Sequence, residues 1–279
     1  MNIIDIIDKK RLGKELNYKE LDYAFNGYLN KHIEDYQMSS LLMAIVINGM
    51  TLEETISLTD IFIKSGEIYD LSSINDVIID KHSTGGVGDS TTLVVGPIVA
   101  ACGCHMAKIS GKSLGITGGT IDKLNSIPGF KTNLTKKEFI NNLKKVGFVD
   151  SSQTKNLVPL DKVIYNLRNN SGTTESLPLI ASSIMSKKIA SGADIILIDI
   201  KVGKGALIKT KRDANTLSNW MKEIGKKYNK KIVTLITDMN IPLSNSIGNK
   251  LEVEEAINVL KGEKCRLYNV SKEISSILI

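Results

Sequence analysis

The run KHSTGGVGDSTT at residues 81–92 lies between a short β-branched segment, Val77–Asp80, and an apolar stretch, Thr92–Cys102. The first segment reads as a buried strand and the second as a helix. A glycine-rich turn from a strand end into a helix start leaves backbone N–H groups facing outward, with no Cβ atoms to block an anion. Lys81 and His82 add a cation and a titratable imidazole, while Ser83, Thr84 and Thr92 add hydroxyl donors suited to phosphate oxygens. The spacing is neither a Walker A loop nor GxGxxG. The run therefore reads as an anion cradle, against the plainer alternative of glycines that serve a tight turn.

A second turn of the same character spans Ser110–Thr120 and follows another candidate strand, Met106–Ile109. Two hydroxyl-rich loops behind two strands can meet at one edge of one sheet. There Ser83, Thr92, Ser110 and Thr120 would supply four hydroxyls and Lys81 a charge, enough to surround one inorganic phosphate. Asp122 and Lys123 just beyond read as structural.

The rest of the chain fits around these loops. Residues 1–66 read as wholly helical, with a capping box at Thr51-x-x-Glu54 and an apolar segment, Met38–Ile47, suited to burial or to a subunit interface. From residue 67 strands and helices alternate, with Ile195–Ile200 and Ile232–Thr237 as further strands and a helix from Thr135-x-x-Glu138 through Val146. Alternation of this kind argues for an α/β sheet covered by helices, with ligands at the strand ends.

Between 161 and 188, Tyr165 and Arg168 stand three apart, and Ile180, Ser183 and Lys187 recur along one helical stripe behind Pro178. If these segments meet, Arg168 and Lys187 form a doubly cationic patch able to stabilise negative charge on a planar group. The alternative reading has them as solvated surface cations.

Composition excludes several classes. The 279 residues carry a net charge of +6, mostly as scattered lysine, and only 5% aromatics, which is not a nucleic-acid-binding pattern. No apolar stretch is long enough to span a bilayer and the N-terminus lacks a signal-peptide pattern, so a cytoplasmic protein is expected. Three cysteines fit a reducing compartment, and Cys102-Gly103-Cys104-His105 has no second ligand pair of zinc-like spacing.

KHSTGGVGDST, ISGKSLGITGGTIDKLNSIPGF, the Tyr165-x-x-Arg168 segment with Ser183 and Lys187, and IDIKVGKGA together closely resemble the thymidine and pyrimidine-nucleoside phosphorylase family. DYQMSSLLMAI and GMTLEET resemble its helical domain. The resemblance implies a small all-helical domain, residues 1–66 with 160–192, beside a larger mixed α/β domain, 67–159 with 193–279. It implies a homodimer formed through the N-terminal helices, with the active-site cleft between the two domains of each subunit. Phosphate is expected at Lys81, Ser83, Thr92, Ser110 and Thr120, and the pyrimidine at Tyr165, Arg168, Ser183 and Lys187. His82, Arg168 and Lys187 would be the catalytic groups. The implied reaction is reversible phosphorolysis of uridine, thymidine and deoxyuridine to free base and (deoxy)ribose 1-phosphate, a salvage step without an organic cofactor.

The same resemblance places Lys108 near the sugar, as in the broad-specificity branch, and Leu207 where phenylalanine is frequent. It matches Gly88, Ser90, Leu243, Ser246 and Glu255 to a potassium site, with serine at 90 and 246 as departures. Lys112, Ser113, Ile116 and Asn125 also depart from the family pattern. The family continues beyond the position of Ile279, so Leu267, Val270, Ile274, Ile277 and Leu278 are expected to lack a covering layer. Two alternatives follow: a truncated, inactive homologue that binds phosphate or nucleoside only, and an anthranilate phosphoribosyltransferase-like enzyme.

Overall fold

A computed structural model describes residues 1–113 and 118–279. The first 66 residues form four helices: α1 (Ile3–Arg11), α2 (Tyr18–Leu29), α3 (Asp35–Asn48) and α4 (Leu52–Lys64). Their starts are written locally. Asn17 with Glu20, and Thr51 with Glu54, close reciprocal capping boxes in which each side chain satisfies a backbone N–H that the helix leaves free. On α3, Met38, Leu41, Leu42 and Ile45 are fully buried, while Met43 and Ile47 stay exposed.

Among the described residues five strands make one parallel sheet in the order β3-β2-β1-β4-β5. They are β1 (Ile78–Ser83), β2 (His105–Ser110), β3 (Phe148–Ser152), β4 (Ile195–Val202) and β5 (Lys231–Asp238). All four expected strands run past their apolar cores, because polar residues at the carboxyl ends still pair. Val77 lies outside β1 and is exposed, while Lys81, His82 and Ser83 belong to the strand and not to the turn. Sequence reading missed β3, whose FVDSS stretch is short and half polar; Gly147 in the left-handed conformation ends the preceding helix and releases it.

The intervening helices are α5 (Thr91–Ala101), α6 (Thr120–Asn125), α7 (Lys136–Val146), α8 (Pro159–Ser171), α9 (Leu177–Ala190) and α10 (Lys211–Lys227), followed by α11 (Asn249–Leu260) and α12 (Arg266–Leu278). Helices α8 and α9 pack against α2, α3 and α4, and α9 also lies on α10 and β2. One apolar core therefore runs from Leu21 and Phe25 in the helical part through Leu179 and Met185 to Ile196 and Ile198 of the sheet. No described helix is long and apolar enough to cross a membrane.

One expectation fails at the carboxyl end. Leu267, Ile274 and Leu278 are buried, because α12 lays them on α5 and the sheet beside Val94, Val95, Val99 and Leu197; Ile277 is exposed. The amphipathic period of α12 turns its apolar stripe inward onto an existing layer.

Candidate active site at the carboxyl edge of the sheet

Chain order reverses at β1: the path leaves through α5 to β2 and β3, then returns by α8 and α9 to β4 on the other side of β1. Ligands of open α/β sheets bind in the crevice at such a switch point, outside the carboxyl ends of the strands. Here those ends are Lys81-His82-Ser83 of β1 and Asp199-Ile200-Lys201 of β4.

The glycine-rich turn above this crevice is sewn to its neighbours. Val87 N donates to Gly205 O at 3.0 Å, Gly205 N to Met239 O at 2.9 Å, and Leu243 N to Val87 O at 3.1 Å. Gly88 has φ of +71°, and a Cβ there would lie 2.9 Å from Ser244 N, so both conformation and space call for glycine. The VGKGA segment thus supports the turn, and the turn delivers the N-terminus of α5 to the crevice.

Lys81 is fully buried, with its ammonium bonded to Thr91 Oγ1 and 3.8 Å from Asp199 Oδ2. Burial pulls it down to about 8 against the opposing pull of Asp89 and Asp199. Asp199 also pairs with Lys201 at 2.7 Å. Asp89 accepts from the Ser83 hydroxyl and from Thr91 Oγ1. Burial pushes the Asp89 carboxyl up, but Lys201, Lys81 and Lys123 outweigh it and hold it well below the usual carboxylate range. Thr92 is buried in the first turn of α5, and Thr120 begins α6, half-buried. Ser110, at the end of β2, donates to Asp150 Oδ2 at 2.9 Å.

The second half of the site rests on α8 and α9. The Lys187 ammonium bonds Asp161 Oδ2 at 2.5 Å and Ser183 Oγ at 2.7 Å and lies 5.6 Å from the centroid of the Tyr165 ring. Burial lowers Lys187, and Asp161 offsets part of that. Tyr165 is pushed up to about 12 by burial. Arg168 is not a solvated cation: its guanidinium donates to the carbonyls of Thr173, Leu179 and Thr174 at 3.0, 3.3 and 2.8 Å. It ties the α8–α9 turn together, and burial brings it down to about 10.

His82 stands between the halves. Burial first, then Lys188, Lys108, Lys187 and Lys81, hold its imidazole well below the usual histidine range. Lys108 is buried and donates to Lys81 O at 2.7 Å. Lys188 donates to Ile109 O at 2.9 Å and pairs with Asp80 at 2.9 Å.

The residues matched to potassium converge beside the first loop. Ser244 Oγ donates to Gly88 O at 2.6 Å, Asn245 N and Ser246 N donate to the two oxygens of Glu255 at 2.9 and 2.8 Å, and Ser90 Oγ donates to Glu252 at 2.8 Å. Glu252 has Lys123 as its cation at 2.7 Å, and Glu255 takes only backbone donors among the described residues. Lys123 also donates to Asp89 O at 2.6 Å, and Asp122 accepts from Ser113 N at 2.7 Å, so both hold the loop's framework. Leu207 is half-buried beyond β4, and Ile116 lies outside the described residues.

Sequence reasoning missed Asp89, Asp150, Asp161, Lys188, Asp199 and Lys201. Only Asp89, inside the first motif, and Asp199-x-Lys201, inside IDIKVGKGA, carried a local signal. The others are defined by partners distant in sequence, such as Asp161 with Lys187, 26 residues away, and Lys188 with Ile109, 79 residues away.

Comparison with known proteins accords with this architecture. The solved anthranilate phosphoribosyltransferase of Thermus thermophilus superposes with a TM-score of 0.71 at 14% identity, covering 96% of this chain and 86% of that one, a likeness of fold. Pyrimidine-nucleoside phosphorylases of Geobacillus stearothermophilus and Bacillus subtilis are each 51% identical over 263 residues, 94% of this chain and 61% of theirs. That of Staphylococcus epidermidis is 52% identical over 262 residues, 94% of this chain and 60% of its own. The chain thus spans about three fifths of the length of these relatives. The family model "Glycosyl transferase family, helical bundle domain" matches residues 4–66, and "Glycosyl transferase family, a/b domain" matches 75–274. By that match, which takes in both the helical bundle and the crevice at the sheet's carboxyl edge, the chain belongs to this glycosyl transferase family.

Proposed function

We propose that the chain carries out reversible phosphorolysis of pyrimidine nucleosides, with uridine, thymidine and deoxyuridine as substrates. The observation that carries this reading is the pair of half-sites joined through α9. Lys187 bonds Ser183 and lies over the Tyr165 ring, while Lys188 is anchored to β1 and β2, whose ends bear His82 and Ser110. The relatives named as pyrimidine-nucleoside phosphorylases support it at the level of the family.

In this reading Lys81, Ser83, Thr92, Ser110 and Thr120 hold phosphate, with N–H groups of the glycine-rich turn and the N-terminus of α5. Phosphate attacks C1′ as the glycosidic bond breaks, through an oxocarbenium-like transition state, and negative charge grows on the departing base. Lys187 meets that charge at a base carbonyl, and Arg168 acts at the same end, mainly by shaping the α8–α9 turn. His82, held neutral near pH 7, donates a hydrogen bond to the base without giving up its proton. Lys108 lies against the sugar. The helical part, 1–66 with 160–192, closes over the α/β part, and a second copy docks on the exposed side of α3 at Met43 and Ile47.

Potassium fits as a clip on the first loop. Gly88, Ser90, Leu243, Ser246 and Glu255 would hold it, since the Glu255 carboxylate has no lysine or arginine partner among the described residues and its oxygens keep free lone pairs. A bound ion would fix the turn between residues 88 and 246. Steering of phosphate and base falls to the chain's own residues.

The test is phosphate-dependent release of uracil and thymine from uridine and thymidine by the purified chain. Release from both is expected. Absence of release by a folded protein that still binds phosphate would replace this reading by a binding-only homologue. Lys187→Gln, which keeps a donor for buried Asp161, is expected to lower turnover at least about a hundredfold while remaining folded.

A further inference from the structure

Ser110 has one hydroxyl proton, and the structure spends it on Asp150 Oδ2 at 2.9 Å. Both side chains are buried, and the other carboxylate oxygen, Asp150 Oδ1, has no hydrogen-bond partner among the described residues. An ionised carboxylate only accepts, so while Asp150 is charged Ser110 can offer an incoming anion nothing but lone pairs. A protonated Asp150 reverses this. Its O–H donates to Ser110 Oγ, and the serine proton is free to turn toward the anion.

We infer that Asp150 is a positioning residue for phosphate: its neutral form orients the Ser110 hydroxyl as a donor, so anion binding at the second loop takes up a proton at Asp150. The inference rests on the proposed reading of Ser110 as a phosphate ligand. The surroundings favour it. Lys108 stands beside Asp150 in the register of β2 and β3, Lys188 reaches in from α9, and Asp80 faces from β1. Burial nevertheless raises the Asp150 carboxyl to about 6, outweighing the two lysines and the Ser110 hydrogen bond. An anion that accepts the freed Ser110 proton favours the neutral carboxyl further, and by linkage protonation of Asp150 tightens that anion to the same degree.

Sulfate is the probe, because it stays a dianion and an acceptor throughout the range in which Asp150 titrates. Its dissociation constant and the protons taken up per ion bound are measured by calorimetry between about pH 5.5 and about pH 7, below the titration of Lys81 and Lys108. For the unaltered chain, affinity is expected to fall roughly tenfold across this window, the scale of one hydrogen bond to a charged group. Asp150→Asn, whose amide donates to Ser110 at any pH, is expected to bind sulfate with a flat profile and no proton uptake. Ser110→Ala is expected to bind more weakly and also with a flat profile.

An unchanged slope in Asp150→Asn overturns the inference. So does a slope kept in Ser110→Ala but lost in Asp150→Asn, because the carboxylate charge would then act on the anion without the hydroxyl. If the unaltered, folded chain binds neither sulfate nor phosphate at any pH, the phosphate-site reading itself falls and this inference falls with it.

Discussion

Lys188 of α9 holds its ammonium 2.9 Å from Asp80 of β1, and neither side chain is exposed to solvent. Its neighbour in sequence, Lys187, holds its ammonium 5.6 Å from the centroid of the Tyr165 ring. One helix therefore registers the proposed base half-site against the strands that carry the proposed phosphate half-site. Removing one partner of such a buried pair leaves an uncompensated charge, so Lys188→Met should cost about 3–5 kcal/mol in chemical denaturation. Asp80→Leu combined with Lys188→Met should recover most of the loss. A single variant as stable as the parent would show that the pair does not bear on folding.

Asp161 is the counter-ion that keeps Lys187 charged. Burial lowers the lysine and Asp161 pushes it back up, so Asp161→Asn should let the ammonium lose its proton at lower pH. The alkaline limb of the pH–rate profile for uracil release should then move toward acid, and kcat near neutrality should drop by about tenfold or more. An alkaline limb that does not move would separate Asp161 from the chemistry.

Asp150 predicts a pH-dependent stability. Its carboxyl is raised to about 6 in the folded protein, above its value in an unfolded chain. The stabilisation is fully present below the unfolded pKa and is lost as pH rises through about 6. The difference corresponds to roughly 3 kcal/mol. Asp150→Asn removes this dependence, so its melting temperature relative to the parent should rise between about pH 4 and about pH 8. Parallel curves for the two proteins across that range would contradict the raised carboxyl.

Lys108 bonds the carbonyl of Lys81, close to the crevice. If it reaches the 2′-hydroxyl of a bound ribonucleoside, Lys108→Met should reduce kcat/KM for uridine roughly tenfold or more while affecting thymidine less. Steady-state assays on both nucleosides decide this, and equal losses would make Lys108 a framework residue.

Much of the molecule was legible in the sequence because its signals are local. Thr51 with Glu54 and Thr135 with Glu138 announce helix starts, since a cap satisfies N–H groups only three residues away. The first glycine-rich turn announces itself because Gly85 and Gly88 adopt positive φ, which other residues resist. The first loop, and the stripe of Ser183 and Lys187, follow from such rules together with helical periodicity.

What sequence alone left open is which charges meet. Ser110 and Asp150 are 40 residues apart and Lys188 and Ile109 are 79 apart. Those meetings depend on strand order and register, which no local signal encodes. Lys81, Lys187 and Lys188 look alike as residues in a chain with 36 basic side chains. Burial beside Asp199, Asp161 and Asp80 makes each of them different, because the energy of a charge is set by what surrounds it. The sequence determined the helices, the turns and the kinds of groups available, and the tertiary structure decided which of those groups share a proton, a partner or a pocket.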